Sequence, residues 1–226
     1  MTLAGKHILV TAGPTHEPID PVRVIANRSS GRQGFAIARA AAGAGATVTL
    51  VAGPVALETP PGVTRIDVET AEEMANAVFA ALPADAAILV AAVADWRVEP
   101  SSTKLKKGSG PPQLKFVPTR DILAELGAQR AASGAATPVL VGFAAETDDV
   151  VAKARDKRTR KRVDAIVAND VSQSDRGFEV DTNAVTIVTA EGEDVVPLQS
   201  KDRVAAVILD SAERLLRRAT AAAPAR

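Results

Sequence analysis

HILVTAGPTHEPIDPVRVIANRSSGRQGFAIARAAAG, residues 7–43, decides the fold. It opens on an apolar run, HILVTA, too short for a helix, and closes on an alanine-rich stretch with helical spacing. Further apolar runs follow at TVTLVA (47–52), TRIDV (64–68), AAILVAAV (86–93), PVLVGFAA (138–145) and DAIVAND (164–170). Helical patterns lie between and after them at 34–43, 71–82, 120–131, 148–162 and 200–218. Near-continuous apolar strands alternating with helices predict a Rossmann-like, doubly wound α/β fold whose mainly parallel sheet is covered on both faces. AVTIVTAEGEDVVPL (184–198) carries two strand-like runs around a Glu-Gly turn and predicts an antiparallel hairpin before the last helix.

The opening stretch also argues against a nicotinamide enzyme. A dinucleotide fold needs a tight glycine turn between strand and helix, whereas about twenty residues separate Gly13 from Gly34. The second strand ends in VTLVAGPV, which is apolar where an acidic residue would hold the ribose. The chain has no tyrosine to serve a short-chain reductase as proton donor.

Length and composition bound the remaining choices. The 226 residues suit one main domain, with 1–5 read as a linker, 6–218 as the domain and 219–226 as a disordered tail. The stretch 98–118, VEPSSTKLKKGSGPPQLKFVP, is too rich in Pro, Gly, Ser and Lys for core and reads as a mobile flap. The 27 basic and 27 acidic residues cancel, so no global charge points to nucleic acid or a membrane surface. No apolar run approaches the roughly 20 residues of a membrane span, and no signal core is present, so the cytoplasm is the expected compartment. With no cysteine there is no disulfide, thiolate nucleophile or Cys-ligated metal. The two histidines, His7 and His16, make no recognisable zinc site or triad.

In an open parallel sheet, ligands bind beyond the carboxyl ends of the strands. Three clusters follow such ends. SSGRQG (29–34) offers Ser29, Ser30 and backbone N–H groups as an anion cradle, or simply a Ser cap with a permissive glycine. AAVADWRVEP (91–100) places Asp95 either to accept hydrogen bonds from a ligand or to cap the turn, and Lys104, Lys106 and Lys107 follow on the flap. A flap lysine can close over an anion or stay in solvent. Lys153, Lys157 and Lys161 recur at i, i+4 on one helical face, suiting a polyphosphate or a solvated basic stripe. A nucleic-acid patch is disfavoured because the run lacks interleaved aromatics.

Together, GPTHEPIDPVRVIANRSSGRQGFAIA, AAVADWR, TKLKK, GFAAET and KxxxK leading into DAIVANDV resemble the phosphopantothenoylcysteine synthetase family in order, spacing and residue type, from about Lys6 to Leu215. In many bacteria that ligase is the C-terminal half of a bifunctional protein whose other half is a flavin-dependent decarboxylase. The resemblance therefore implies a fused or separate decarboxylase partner, no flavin in this segment, and a homodimer. It implies a reaction in which the carboxylate of 4′-phosphopantothenate attacks the α-phosphate of CTP, releasing pyrophosphate. L-cysteine then displaces CMP from the acyl-cytidylate through its amine. Mg²⁺ bridging the nucleotide phosphates is implied as well.

By the same resemblance, Asn27 and Lys104 are the catalytic residues. Leu89, Val90, Ala91, Asp95, Lys104, Arg120, Asp121, Ile122, Leu123, Phe143, Lys157 and Lys161 fall on nucleotide-contacting positions, and Arg23, Asn27, Ser30 and Gly31 on the acyl-substrate side. Arg120 stands where the family often has proline, which implies a backbone contact. A related branch uses ATP, while GFAAET and KxxxK look bacterial and favour CTP. A non-catalytic nucleotide-binding module would keep the cradle but have no use for Lys104.

Overall fold

The computed structural model describes residues 2–110, 112–170 and 180–222. Six parallel strands form the centre: β1 (His7–Ala12), β4 (Thr47–Ala52), β5 (Val63–Asp67), β6 (Ala86–Leu89), β9 (Val139–Glu146) and β10 (Ala165–Asp170). Beside β10 lie the antiparallel β11 (Thr182–Val188) and β12 (Glu193–Ser200), giving the order β12-β11-β10-β9-β6-β1-β4-β5. The chain starts in the middle at β1, runs outward to β5, then returns to build the other half from β6. The crevice between β1 and β6 is therefore the topological switch point.

The helices are α1 (Arg32–Gly43), α2 (Ala71–Ala80), α3 (Ile122–Ser133), α4 (Val150–Lys161) and α5 (Lys201–Ala222). Alternation along β1 sends Ile8, Val10 and Ala12 into a core with Phe35 and Ile37 of α1 and Ile208 and Leu209 of α5. Leu9 points the other way, to Met74 of α2, Leu126 of α3 and Ala154 of α4. Thus α1 and α5 cover one face, and α2, α3 and α4 the other. The expected architecture and helix positions agree with this arrangement, including the C-terminal hairpin.

Three boundaries differ from expectation. Leu3 is buried and its N–H donates to the Ala44 carbonyl at 2.9 Å, so the stretch expected as a linker is docked on the core. The helix α5 continues to Ala222, with Leu216 and Ala219 packed on the core, so 219–222 of the expected tail are helical, and 223–226 lie outside the described residues. The run 86–93 leaves the sheet after Leu89, where Thr11 captures the next two N–H groups.

The long loop after β1 contains a small antiparallel pair, β2 (His16–Pro18) and β3 (Val24–Ala26), which no alternating pattern announced. The flap is bracketed by a second ribbon of β7 (Trp96–Val98) and β8 (Phe116–Pro118), with a single 3₁₀ turn at Lys107–Ser109. No helix among the described residues is long and apolar enough to cross a membrane. His7 is structural: its ring lies 2.9 Å from both the Pro83 carbonyl and Thr49 Oγ1.

Candidate active site

A cleft of about 670 Å³ opens at the carboxyl ends of β1, β6 and β9, a volume typical of a small-molecule site. Its floor is the run Leu89–Val93, pinned to β1 and the loop after it. Thr11 Oγ1 accepts from the N–H groups of Val90 and Ala91 at 3.1 Å each, the Ala92 N–H donates to Gly13 O at 2.9 Å, and the Ala94 N–H to Thr15 Oγ1 at 3.0 Å. These donors are engaged within the protein. Asn27 crosses above the floor, its Nδ2 donating to the carbonyls of Ala92 and Val93 at 3.1 and 3.2 Å. The amide oxygen is thereby oriented away from two carbonyls, which fixes the side chain.

On the α1 side, the chain turns through Gly31 at φ 75°, a left-handed conformation suited to glycine, and enters a helix with no side-chain cap and no acid in its first turn. The positive end of α1 therefore faces the cleft without a built-in counter-charge. Gly34 lets this helix sit against β1: an added Cβ would lie 2.5 Å from Ala12 Cβ.

On the opposite side of the sheet, α4 brings two lysines one helical turn apart, and the head of α3 brings Asp121 to one of them. Lys157 Nζ donates to the Phe143 carbonyl at 2.7 Å, and Lys161 Nζ pairs with Asp121 at 2.8 Å. Burial lowers the Lys157 pKa, and the neighbouring Lys161 charge adds to the effect. Asp121 also caps α3 by accepting from the Ala124 N–H at 3.1 Å. Burial alone would raise its pKa, but Lys161 and that cap outweigh it and the net shift is downward.

The cleft thus gathers Asn27, Ser30, Gly31, Leu89, Val90, Ala91, Asp95, Arg120, Asp121, Ile122, Leu123, Phe143, Lys157 and Lys161 of the residues expected from sequence. The Arg120 guanidinium points out of it, to Glu125 at 2.6 Å, Glu72 and Asn76 at 3.1 Å, and over the Phe79 ring. Lys153 turns away to Asp148 and Glu146.

Arg23 and Lys104 do not line the cleft. Arg23 grips the buried Asp20 through Nε and Nη2, and donates from Nη2 to the Leu105 carbonyl at 2.7 Å. Asp20 accepts in turn from the Leu105 N–H at 3.1 Å, while the Ser101 N–H donates to Ile19 O at 2.9 Å. The flap is therefore tied to the loop between β2 and β3 on both sides of Lys104, whose own side chain is exposed.

Sequence reading missed Thr11, Gln33, Asn169, Asn183 and Lys201, all of which line the cleft. Asn169 near the end of a strand carried a usable signal. Thr11 likewise lies near the end of β1, whereas Gln33, Asn183 and Lys201 reach the site through helix packing and the C-terminal hairpin, which leave no local mark.

Residues 3–215 match the family described as DNA/pantothenate metabolism flavoprotein C-terminal domain. The chain is 49% identical over 218 residues to the coenzyme A biosynthesis bifunctional protein CoaBC of Vibrio parahaemolyticus, covering 95% of this chain and 54% of that protein. It is 48% identical over 213 residues to the CoaBC of Escherichia coli K12, covering 92% and 52%. The chain spans about half the length of these curated relatives. Its fold is similar to the crystal structure of the C-terminal domain of a CoaBC protein, with a TM-score of 0.80 and 39% identity over 96% of this chain and 98% of that one. With its switch-point cleft, its lysine pair and a family match running over nearly its whole length, the chain belongs to the DNA/pantothenate metabolism flavoprotein C-terminal domain family.

Proposed function

We propose that this chain is a phosphopantothenate–cysteine ligase of coenzyme A biosynthesis that activates its carboxylate with CTP. The observation that carries the reading is one cleft lined both by the Lys157–Lys161 pair and by the uncapped start of α1, with Asn27 across its floor. Two anionic substrates need two cationic or N–H-rich surfaces, and a mixed anhydride between them needs a neutral polar partner.

A carboxylate is a poor electrophile with a poor leaving group. In the first step a carboxylate oxygen of 4′-phosphopantothenate attacks the α-phosphorus of CTP, the bond to the bridging oxygen breaks, and pyrophosphate leaves. In the second the amine of L-cysteine attacks the acyl carbon, loses a proton and expels CMP. Lys157 and Lys161 hold the triphosphate, Phe143 and the backbone of Leu89 to Ala91 and Arg120 to Leu123 bound the nucleoside, and Asn27 holds the acyl-cytidylate. Ser30 and Gly31 at the head of α1 receive the phosphate of the acyl substrate. Lys104 brings charge from the flap to the leaving pyrophosphate, and Arg23 meets the phosphate end from the same tethered unit.

Among the described residues, no group of three or more His, Cys, Asp or Glu side chains is set to hold a metal ion. Asp95 and Asp121 on the lysine side suit a Mg²⁺ carried largely by the nucleotide phosphates. When bound, that ion would neutralise charge developing on pyrophosphate. A homodimer fits the exposed Val22, Val24, Trp96 and Phe116, clustered on β3, the β2–β3 loop and the β7–β8 ribbon. A decarboxylase occupying the other half of a bifunctional protein is part of the same reading.

The test is pyrophosphate release with CTP, ATP, 4′-phosphopantothenate and cysteine, each omitted in turn. Turnover with CTP that requires phosphopantothenate is expected. Silence with every nucleotide overturns the ligase, and turnover with ATP but not CTP overturns the choice of nucleotide.

A further inference from the structure

Arg65 stands on β5, the outermost strand on its side of the sheet, outside the lining of the cleft, yet its side chain is mostly covered, at 16% exposure. Its guanidinium donates from Nε to Asp67 Oδ1 at 2.7 Å, from Nη1 to the Leu57 carbonyl at 2.6 Å and from Nη2 to the Val55 carbonyl at 3.4 Å. Cζ lies over the ring of the buried Phe35, 5.2 Å from its centroid. Arg65 thus joins the loop after β4 to the beginning of α1. The planar fork suits two carbonyls of an irregular loop, which a compact ammonium could not grip in the same way.

The near end of that loop is fixed as well. The Gly53 N–H donates to Ala12 O at 2.9 Å, and Gly53 packs so closely on Pro14 that an added Cβ would lie 1.7 Å from the Pro14 carbonyl oxygen. Between the two anchors the half-buried Val55 packs against the core. A Cβ built at Gly13 or at Gly31 would lie 3.1 Å from Val55 Cγ1 in either case. One methyl group therefore backs both the turn after β1 and the turn that enters α1. The first holds the cleft floor through the Ala92 N–H, and the second carries the head of the helix.

We infer that Arg65 is a positioning residue: by holding the loop after β4 it seats Val55 against Gly13 and Gly31, and so sets the head of α1 relative to the cleft floor. This rests on the ligase reading, in which that helix head receives the phosphate of the acyl substrate. Arg65 touches no substrate and acts through Val55, so a change at either residue displaces the same backbone.

The experiment measures initial rates of pyrophosphate release by the full chain, with phosphopantothenate and CTP varied separately. Arg65→Met keeps an aliphatic stem and removes the fork. It should raise the KM for phosphopantothenate by about threefold or more, with kcat and the KM for CTP within about twofold. Val55→Ala should do the same, and the double variant should be no worse than the more damaged single one, because both act through one contact. A smaller rise, a parallel rise for CTP, or additive effects in the double variant overturns the assignment. A merely structural role would lower stability without that pattern. Should Arg65→Met fail to fold, Arg65→Lys takes its place in the same cycle, judged by the same outcomes. If the wild type releases no pyrophosphate, the ligase reading fails on its own, and amide hydrogen exchange decides the positioning role. Exchange at Phe35, whose N–H donates to Gly31 O at 3.1 Å, should quicken in both single variants by about threefold or more while exchange in α3 is unchanged. A smaller change at Phe35, or a matching one in α3, overturns it.

Discussion

Lys157 Nζ donates to the Phe143 carbonyl across the junction of β9 and α4 at 2.7 Å, so this half-buried lysine of the cleft is held by a neutral acceptor. Its neighbour Lys161 takes the carboxylate of Asp121 instead. The positive charge of Lys157 is left for an anionic ligand, at the cost of partly burying an ammonium with no ion-pair partner among the described residues.

Lys157→Met should therefore cost nucleotide binding about 1.5–3 kcal/mol without loss of fold. Burial, reinforced by Lys161, sets the Lys157 pKa below the ordinary 10.5. The unfolded chain then binds a proton that the folded chain gives up, so stability rises with pH between the lowered value and 10.5. A bound triphosphate favours the charged form, so nucleotide affinity should weaken as pH climbs through that window. Calorimetric titrations at several pH values check this. A variant with the wild-type alkaline slope would detach Lys157 from the nucleotide.

Asn27→Asp replaces a donor to two carbonyls with a carboxylate facing the same oxygens and a bound acyl phosphate. Formation or use of the acyl nucleotide should slow by about tenfold or more, a loss of roughly 1.4 kcal/mol in transition-state stabilisation. Rapid quench with labelled nucleotide separates the two half-reactions. Wild-type rates in both would remove Asn27 from the chemistry.

The flap offers a paired prediction. Lys104→Gln should lose rate with an unchanged Tm, since its side chain is exposed and makes no core contact. Asp20→Asn should lower the Tm at neutral pH, because Asp20 ties Arg23 and Leu105 together. The Arg23 guanidinium, helped by three backbone N–H groups and opposed by burial, holds the Asp20 carboxyl well below the usual range. Its contribution is present above the unfolded value of 3.8 and is lost as pH falls below it. Wild-type and Asp20→Asn melting temperatures should accordingly converge in acid, and a gap that persists there would contradict the latch.

Gly34→Ala forces a methyl to within 2.5 Å of Ala12 Cβ and 3.0 Å of the Thr11 carbonyl. Both contacts are to the central strand, which cannot yield. Overpacking of this kind should destabilise by about 1–3 kcal/mol in urea denaturation and tilt the head of α1 away from the cleft. Stability within error of wild type would mean that α1 is not seated as described.

Much of the architecture was legible because period and composition are local properties. The apolar runs marked all six parallel strands within a residue or two, except where Thr11 ends β6 early by taking the N–H groups of Val90 and Ala91. The docking of Leu3 was not legible, since one apolar residue in a short polar leader has no periodicity to read. Nor was the β2–β3 pair, whose three-residue strands are too brief to alternate.

The sequence by itself determined a doubly wound sheet, placed ligand chemistry at strand ends, and excluded thiol, triad and dinucleotide-type sites by what the chain lacks. It also supplied the lysine spacing that puts Lys157 and Lys161 on one helical face. Only the tertiary structure decided which polar groups share a cavity. Asn27, Lys157, Asn183 and Lys201 lie far apart along the chain and arrive from both faces of the sheet. The tertiary structure also turned the Arg120 guanidinium outward and committed Arg23 to Asp20. Side-chain direction depends on which neighbours burial brings within hydrogen-bond reach, and that is set by the packing of the sheet and its helices.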